Sequence, residues 1–557
     1  MRGGGSRAAL AAGALAVAAG VLALGLPPAL ADWWLVPDAI EYAGIAHSLA
    51  AGAGFVDPIV YSHYLPPAYP MPAAAARPPL VPLLLAVPFG LGASIEAAAA
   101  LHVAWAALVA AGVVVVAARW AGPAAGLAAG LGFALSFGWN APARMLLTET
   151  TSAALVLALV VAAPRAARGA RGAAAFAGLC FLAWLCRPNL VLALPALLAA
   201  WATAAGPRAV LRARAAWVAL GVLAALAGAC WVGLAAATGL PPYAHHGVLL
   251  ETLGAEDARY YQREYVGALR YFAAHAQEVA RLLLWNVRHV ARSLFVVPDW
   301  HYAGWLALPG VAAGLRARGR AALERRFAAW LFLSQVPPAF LVPGSVEPMR
   351  LSLVFALCGW LLGAALAQEL LERAAARLRS SAAAAALRIA APTLALATFA
   401  CSPSGPYQVG IARASLRDFA AHGTRARGAA WVAAAPVCPA LERDALVAST
   451  DPWAIYLWCG NLGLWLPVDL ESQDWVRRYL DEQAPGFVVV DRSPAYAQVR
   501  RSPALAHVAS FGELSVYRVL DAPPRSRPWR APPPLAGRSG VEPEPGSVFQ
   551  RRRVRVR

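Results

Sequence analysis

The amino-acid sequence predicts a polytopic α-helical membrane protein followed by a small C-terminal α/β domain. Of the 557 residues, 60% are hydrophobic and only 14% are charged, and the mean hydropathy is +0.54. Soluble domains carry roughly 25% charged residues. Several apolar runs reach the ~20 residues that cross ~30 Å of hydrocarbon. The clearest runs are Ala8–Leu26, Ala97–Ala118, Ala215–Leu240 and Met349–Leu366.

The arginine clusters predict how these segments are oriented. A net charge of +18 would suit a nucleic-acid-binding protein, but the arginines stand in short groups between apolar runs, as in the cytoplasmic loops of membrane proteins. The groups are Arg2/Arg7, Arg165/Arg168/Arg171, Arg208/Arg212/Arg214, Arg316–Arg326 and Arg373–Arg388. This pattern excludes nucleic acid as a partner. It predicts about 11 crossings of a bacterial inner (plasma) membrane, with a cytoplasmic N-terminus and an extracytoplasmic C-terminal domain.

The first apolar segment resembles a signal peptide in two respects. Arg2 and Arg7 precede it, and the Ala-Leu-Ala of residues 29–31 resembles a signal-peptidase site. The segment is, however, longer than the usual 7–15 apolar residues of a signal peptide. We therefore expect an uncleaved first transmembrane helix.

The chain divides into three predicted parts. Residues 1–401 form the transmembrane part, with extracytoplasmic loops at 32–78 and 241–301. Residues 402–521 form a soluble α/β domain. Residues 522–557 form a Pro- and Arg-rich tail that is predicted to be disordered.

One short segment decides which residues face the same side of the membrane. Pro79–Ala93 is rich in proline and short for a crossing, so it is either re-entrant or continuous with the next segment. If it does not cross, Asp38 and Glu149 lie on the same, outer side. We expect this arrangement.

After the last apolar segment the sequence pattern changes to alternating strands and helices. Gly486–Asp491 is typical of a buried strand that ends in an acid, and Trp475–Gln483 is typical of a helix. Such alternation predicts a small α/β domain. Cys438 and Cys459 lie in this region and are candidates for a disulfide if it is extracytoplasmic, where disulfides persist.

The strongest local feature is a pair of acids just past the first helix. Asp38 and Glu41 are three residues apart and share one face of a helix, and Tyr42 follows on the same side as Asp38. Acids at this position can simply favour the helix dipole. The functional interpretation is a carboxylate that acts as general base or orients an acceptor in a partly dry site.

Three further charged residues stand at predicted outer ends of apolar segments. Arg77, before Pro78-Pro79, is suited to bind a phosphate with its guanidinium group, or to anchor the loop at the interface. Glu149 opens an apolar segment, where a charge is costly and usually functional, although it could be a simple first-turn acid. Arg350 precedes a late apolar segment and could contact an anionic headgroup or belong to a Pro-punctuated loop.

The motifs that are absent narrow the chemistry. The sequence has no Walker A loop and no Gly-rich dinucleotide turn. His245, His246, Asp299 and His301 show no metal-ligand spacing and are interpreted as solvated loop residues. No cofactor is predicted, and a divalent metal is not indicated. Since an outer-face enzyme has no supply of cytoplasmic nucleotide sugars, its donor would have to be carried by the membrane.

Taken in order, these features resemble the GT-C superfamily of membrane glycosyltransferases, and most of all its branch of protein O-mannosyltransferases and bacterial aminoarabinose transferases. The likeness is carried by Asp38 and Tyr42, by the basic-Pro-Pro-Leu element Arg77–Leu80, by the acid of Leu147–Glu149, by Glu347–Arg350, and by the run from Asp451-Pro452-Trp453 to Phe487–Asp491. Two positions depart from the pattern. The family commonly has two adjacent acids, whereas Ala39 follows Asp38 here, and Arg77 stands where related enzymes often have Lys.

The resemblance implies a hexosyl or pentosyl transferase. It would move a sugar, with inversion, from a polyprenyl-phosphate donor to the hydroxyl of a glycan, lipid or protein acceptor at the outer face of the membrane. The implied catalytic residues are Asp38, Glu41 and Glu149, and the implied substrate-binding residues are Tyr42, Arg77 and Arg350.

Two other functions are compatible with a polytopic membrane protein. A transporter or flippase of lipid-linked sugars would need ionisable residues deep within several helices. Here these residues cluster at the outer ends of the segments instead. A non-catalytic scaffold that displays its C-terminal domain is the second alternative. The sequence leaves both open.

Overall fold

A computed structural model describes residues 4–31, 36–60, 71–73, 77–238, 276–341, 352–422, 432–467 and 470–520. Arg350, His245, His246 and the predicted tail lie outside the described residues, as do parts of the two long loops that were predicted to be extracytoplasmic.

Most of the described chain is helical. The helices are α1 (Gly4–Ala31), α2 (Pro37–Ala50), α3 (Leu80–Gly90), α4 (Ile95–Ala121), α5 (Pro123–Ala134), α6 (Phe137–Ala143), α7 (Thr148–Arg168), α8 (Ala170–Cys186), α9 (Ala193–Ala205), α10 (Pro207–Arg212), α11 (Arg214–Thr238), α12 (Ala276–Ala291), α13 (Ala303–Leu315), α14 (Ala322–Ser334), α15 (Val336–Leu341), α16 (Leu353–Ala375), α17 (Ser381–Cys401), α18 (Ser404–His422), α19 (Pro452–Cys459), α20 (Gln473–Gln483) and α21 (Ala497–Arg500).

Seven helical segments of the described chain are long and apolar enough to cross a membrane. They are Arg7–Leu30, Ile95–Ala121, Thr148–Arg168, Pro188–Ala205, Arg214–Thr238, Leu353–Ala375 and Ser381–Cys401. Four shorter apolar helices, α3, α5, α8 and α13, accompany them. These segments support the predicted polytopic membrane class, whereas the number of about 11 crossings stays a prediction.

Helix α3 is too short to cross the membrane. Its 11 residues span about 16 Å at 1.5 Å per residue, which is about half of the hydrocarbon thickness. It packs against α2 and contacts α4. Leu146 and Leu147, just before α7, share one apolar cluster with Ile40 and Tyr42 of α2. Glu149 therefore begins its helix at the same end of the bundle as Asp38, as the sequence predicted.

Small residues let two helices of the bundle approach closely. A Cβ atom on Gly310 of α13 would lie 2.7 Å from the backbone nitrogen of Gly363 on α16. Backbones that meet in this way gain close van der Waals contact, which drives helix association where lipid surrounds the bundle.

An ion pair joins two other helices of the bundle. At the C-terminal end of α4, Arg119 and Trp120 both donate to the buried carboxylate of Glu324, each over 2.7 Å. This carboxylate ties α4 to α14.

The described strands form one pair and one larger sheet. They are β1 (Val56–Asp57), β2 (Ile59–Val60), β3 (Met71–Pro72), β4 (Leu446–Ser449), β5 (Leu462–Trp465), β6 (Phe487–Asp491), β7 (Leu505–Phe511) and β8 (Leu514–Val519). Strands β1 and β3 pair antiparallel. The six-stranded sheet has the order β2-β5-β4-β6-β8-β7, parallel from β2 to β6 and antiparallel at β8 and β7.

The sheet joins two distant parts of the chain. Its edge strand β2 comes from the segment between α2 and α3, with Ile59 opposite Gly463 of β5. The strand and helix predicted at 486–491 and 475–483 are present as β6 and α20, and Ser472 caps α20 by accepting from the Trp475 N–H. Helix α18 precedes the sheet and packs against α1. The first helix after α17 thus lies against the bundle.

Helix α19 docks the sheet onto α2. The Tyr456 hydroxyl lies 3.3 Å from the carbonyl oxygen of Gly44 and donates to it. Tyr456 is fully buried and belongs to the same apolar cluster as α2. At the end of α19, Cys459 forms a disulfide with Cys438, as the sequence suggested. The disulfide ties this helix to the segment that precedes β4.

Gly44→Ala should weaken this docking. A Cβ atom there would lie 2.7 Å from both Pro58 Cγ and Tyr456 Cε1, and overpacking of this kind costs about 1–3 kcal/mol. We expect a lower melting temperature in detergent and earlier proteolysis of the C-terminal region. Gly178→Ala on α8 is the control, because its Cβ would meet no atom within 4 Å. Equal melting temperatures for the two variants would contradict the docking contact.

Candidate active site

Arg77 lies between the two acids of α2. Its Nη2 is 3.2 Å from Asp38 Oδ1, and its Nε donates to Glu41 Oε2. Pro37 at the first helical position starts α2 and places Asp38 in the first turn. The side chain of Asp38 is 27% exposed, whereas that of Glu41 is 0% exposed. The acid pair and the arginine that the sequence singled out are therefore brought together, at the end of the bundle that the C-terminal sheet covers.

The buried carboxylate of Glu41 has donors on both oxygens. Trp453 Nε1, from α19, donates to Glu41 Oε1 over 2.8 Å, while Arg77 occupies Oε2. Buried charges are tolerated when they are both paired and hydrogen-bonded. One of these two donors belongs to the C-terminal domain, so the site spans both parts of the chain.

A third carboxylate, Asp57, lies next to this group and was missed by the sequence analysis. It is fully buried at the end of β1. Its Oδ1 accepts from the Ile59 N–H over 3.0 Å, while its Oδ2 has no hydrogen-bond partner among the described residues. Asp-Pro in a proline-rich loop is typical of a turn. Nothing in the local pattern distinguishes an acid that caps a turn from one that is buried beside an arginine.

Burial dominates the electrostatics of the two inner acids. It raises the pKa of Glu41 above its ordinary value; the Arg77 charge opposes this and the Asp38 charge adds to it. Burial likewise raises the pKa of Asp57 well above its ordinary value, with the Glu41 charge as the next cause. Arg77 lowers both. The positive charge of Arg77 thus stabilises the ionised forms of Glu41 and Asp57.

Glu149 forms a second buried ion pair nearby. Its Oε1 is 2.9 Å from Arg187 Nη2, and the Glu149 side chain is fully buried. The turn before α7 holds Leu146 at φ 55°, an uncommon conformation for a bulky residue that tends to occur at functional sites. In the sequence, Arg187 stands before Pro188 between two apolar segments, a pattern that is typical of a loop. Its partnership with Glu149, across 38 residues of chain, has no local signal.

The remaining candidates differ in what the structure says of them. Tyr42 is 3% exposed and packs in the apolar cluster around α2, so its substrate-binding role stays a prediction. Arg350 lies outside the described residues. The interpretation of Asp299 and His301 as solvated loop residues is wrong: His301 is 3% exposed, and Asp299 is half-buried and accepts from Ser293 Oγ over 3.1 Å. The turn between Pro298 and α13 folds into the bundle and carries both side chains inward.

The architecture is that of the GT-C membrane glycosyltransferases. Solved structures of this class match the chain over nearly its whole length, so the predicted resemblance is confirmed at the level of the fold. No protein-family model and no curated protein matches the sequence. Sequence identities to the structures are low, and a shared fold does not by itself define a reaction.

Two of these structural neighbours are ArnT from Cupriavidus metallidurans and the oligosaccharyltransferase AglB from Archaeoglobus fulgidus. The chain is similar to apo ArnT with a TM-score of 0.50 at 16% identity, covering 93% of this chain and 98% of that one. ArnT bound to undecaprenyl phosphate gives a TM-score of 0.51 at 16% identity, covering 92% and 98%. AglB in complex with an inhibitory peptide and a dolichol-phosphate gives 0.54 at 13% identity, covering 95% and 77%.

The raised pKa of Asp57 predicts a dependence of stability on pH. A carboxyl group whose folded pKa exceeds its unfolded value favours the folded state at acid pH, and this contribution is lost as the pH rises through the folded pKa. Asp57→Asn keeps the acceptor for Ile59 and cannot ionise. The fall in melting temperature between pH 5 and pH 8 should therefore be smaller in this variant than in the wild type.

The matched control is Asp491→Asn. Asp491 also accepts from a backbone N–H two residues further on, that of Ser493, over 2.9 Å. Asp491→Asn shows what the same chemical change does outside the buried acid cluster, and its melting temperature is measured at the same pH values. An Asp57→Asn variant that loses as many degrees as the wild type would contradict the buried, raised carboxyl group.

Proposed function

We propose that the protein is a glycosyltransferase that transfers a sugar from a polyprenyl-phosphate donor to an acceptor hydroxyl at the outer face of the cytoplasmic membrane. The observation that carries the proposal is the shared guanidinium of Arg77. It contacts one partly exposed and one buried carboxylate in a fold that the GT-C glycosyltransferases share.

The donor class follows from the cation and from the neighbours. Guanidinium groups bind phosphate oxygens with paired hydrogen bonds. ArnT has been solved with undecaprenyl phosphate and AglB with a dolichol-phosphate. Both are lipid phosphates, which supports a lipid-phosphate donor for this chain. A donor phosphate that binds Arg77 would compete with the Asp38 carboxylate, since the contact between Arg77 and Asp38 is the more exposed of its two ion pairs.

When the donor phosphate binds Arg77, it would release the Asp38 carboxylate from its ion pair with Arg77, and Asp38 would be free to act as the base. Asp38 would then take the proton of the acceptor hydroxyl, and the acceptor oxygen would attack the anomeric carbon. The bond from this carbon to the phosphate oxygen breaks, and polyprenyl phosphate leaves with the bonding electrons. The displacement occurs in one step and inverts the anomeric carbon. General-base catalysis of this kind contributes about 10²–10⁴-fold.

The other acids have supporting roles in this proposal. Glu41 is fully buried and holds Arg77, so it acts as a positioning residue. Glu149 holds Arg187 at the head of α7 and keeps a second guanidinium near the site. Tyr42 and Arg350 stay candidates for substrate binding. The expectation that the reaction needs no cofactor or metal also stays a prediction.

The orientation is supported by two features. The Cys438–Cys459 disulfide suits an oxidising, extracytoplasmic compartment. The arginine clusters stand between the apolar segments of the sequence, a pattern that suits a cytoplasmic N-terminus. Together they support an outer-face site. The sugar and the acceptor stay open.

Replacement of Asp38 tests the function. Purified wild-type protein should transfer sugar from at least one of a panel of radiolabelled polyprenyl-phosphate sugars. Asp38→Asn should lose at least about 100-fold in rate and keep its melting temperature within a few degrees. Asp481→Asn, on the surface of the C-terminal domain with a side chain 72% exposed, is the control and should keep full activity.

Two outcomes would overturn the proposal. Lipid-sugar translocation without transfer from any donor would favour a transporter. Transfer that Asp38→Asn leaves intact would remove the carboxylate from the chemistry.

A further inference from the structure

We propose that Trp453 of the C-terminal domain is a positioning residue of this site, and that its indole N–H fixes the Glu41 carboxylate against Arg77. The inference rests on the proposed transferase function and extends it. It makes the C-terminal domain a part of the active site instead of an appended module.

The buried carboxylate of Glu41 accepts a hydrogen bond on each of its two oxygens. Trp453 Nε1 donates to Oε1 over 2.8 Å, and Arg77 Nε donates to Oε2. Because the carboxylate is 0% exposed, water cannot replace either donor without opening the interface. A carboxylate that is held on both oxygens cannot rotate about its last bond, so its Oε2 gives Arg77 Nε an acceptor in a fixed position.

Helix α19 is itself held firmly enough to do this. Asp451 caps its N-terminus by accepting from the Ala454 N–H over 3.2 Å. One turn after Trp453, the Tyr456 hydroxyl donates to the Gly44 carbonyl oxygen, one turn after Glu41 on α2. Cys459 ends α19 in the disulfide with Cys438. The two helices therefore meet through two hydrogen bonds at matching turns, and the covalent link fixes the far end of α19.

Removal of the indole N–H should act on the donor phosphate through Glu41 and Arg77. A Glu41 carboxylate with one donor is free to turn, and the guanidinium then loses its fixed orientation. The KM for the lipid-phosphate donor should rise more than kcat falls, since the proton transfer to Asp38 does not involve Trp453. The N–H also stabilises the charged form of Glu41, so its loss should make the site take up a proton at higher pH.

Among the described residues, the charged groups that act on Glu41 are Asp38 on the same helix, Arg77 before α3 and Asp57 at the end of β1. Tyr456, one turn after Trp453 on α19, donates to the Gly44 carbonyl oxygen of α2. None of them is altered by a change at Trp453. A shift of the pH profile in a Trp453 variant would thus report on the hydrogen bond to Glu41.

The test compares two tryptophans of one helix. Trp453→Phe keeps an aromatic ring and removes the donor. Trp458→Phe makes the same change at a residue whose Nε1 is buried without a hydrogen-bond partner among the described residues. Both are assayed with an undecaprenyl-phosphate sugar that the wild type turns over. The pH dependence of kcat/KM and the separate values of kcat and KM are the readouts.

We expect Trp453→Phe to raise the donor KM about 3- to 10-fold, and to move the acidic limb of the pH profile up by about half to one pH unit, the equivalent of one hydrogen bond. Trp458→Phe should match the wild type in both. Trp453→His retains a ring N–H and should recover most of the donor KM. It also serves as the second variant if Trp453→Phe melts below the assay temperature.

The outcomes separate this inference from the function on which it rests. If the wild type transfers sugar and Trp453→Phe behaves as Trp458→Phe does, the inference is overturned and the transferase stands. If Trp453→His is as impaired as Trp453→Phe, packing and not the N–H is responsible, and the inference is again overturned. If the wild type transfers nothing from any donor, both fail.

Discussion

The structure of the site depends on one guanidinium group that compensates a cluster of carboxylates at the edge of an apolar bundle. Glu41 and Asp57 are fully buried, and Asp38 is partly exposed beside them. Burying a charge costs several kcal/mol unless it is paired and hydrogen-bonded. Arg77 provides the charge, and the Ile59 N–H and Trp453 Nε1 provide further hydrogen bonds. This requirement explains why loop, bundle and sheet meet at this point.

The need for hydrogen bonds from Ile59 and Trp453 also explains why the segment between α2 and α3 contributes a strand to the C-terminal sheet. Asp57 ends β1, and Ile59, which donates to it, begins the edge strand of the C-terminal sheet. Pro58, which lies between them, packs against α2 in the space that a side chain at position 44 would occupy if this residue were not glycine. The short α3 has a related effect, because a full crossing there would place α2 and the head of α7 on opposite sides of the membrane. The fold thus brings the acids of α2 and the head of α7 to one end of the bundle.

Local sequence patterns were sufficient for part of this arrangement. The Asp38–Glu41 spacing on a helix, the Arg77 element, strand β6 and helix α20 all follow from periodicity or from residue type, and the structure contains each of them. The rest depends on contacts between distant segments. Asp57 has the pattern of an ordinary turn, Arg187 that of a loop, and Trp453 stands 412 residues from Glu41. Periodicity predicts which face of a helix or strand is buried. It does not predict which distant residue that face will contact.

The interval of 412 residues between Glu41 and Trp453 has a consequence for biogenesis. At 5–20 residues per second, the ribosome needs about 20 to 80 s to bridge that interval. During this time Asp38, Glu41 and Arg77 have been made, but β5 and the indole of Trp453, which completes the site, have not. The acid–arginine cluster can therefore be completed only after α17, the last of the seven candidate membrane-spanning helices of the described chain, has been synthesised. A chain that is released before the C-terminal sheet has been synthesised contains every residue of the acid–arginine cluster. It lacks the sheet and Trp453, which would exclude water from the cluster and hold Glu41 in place.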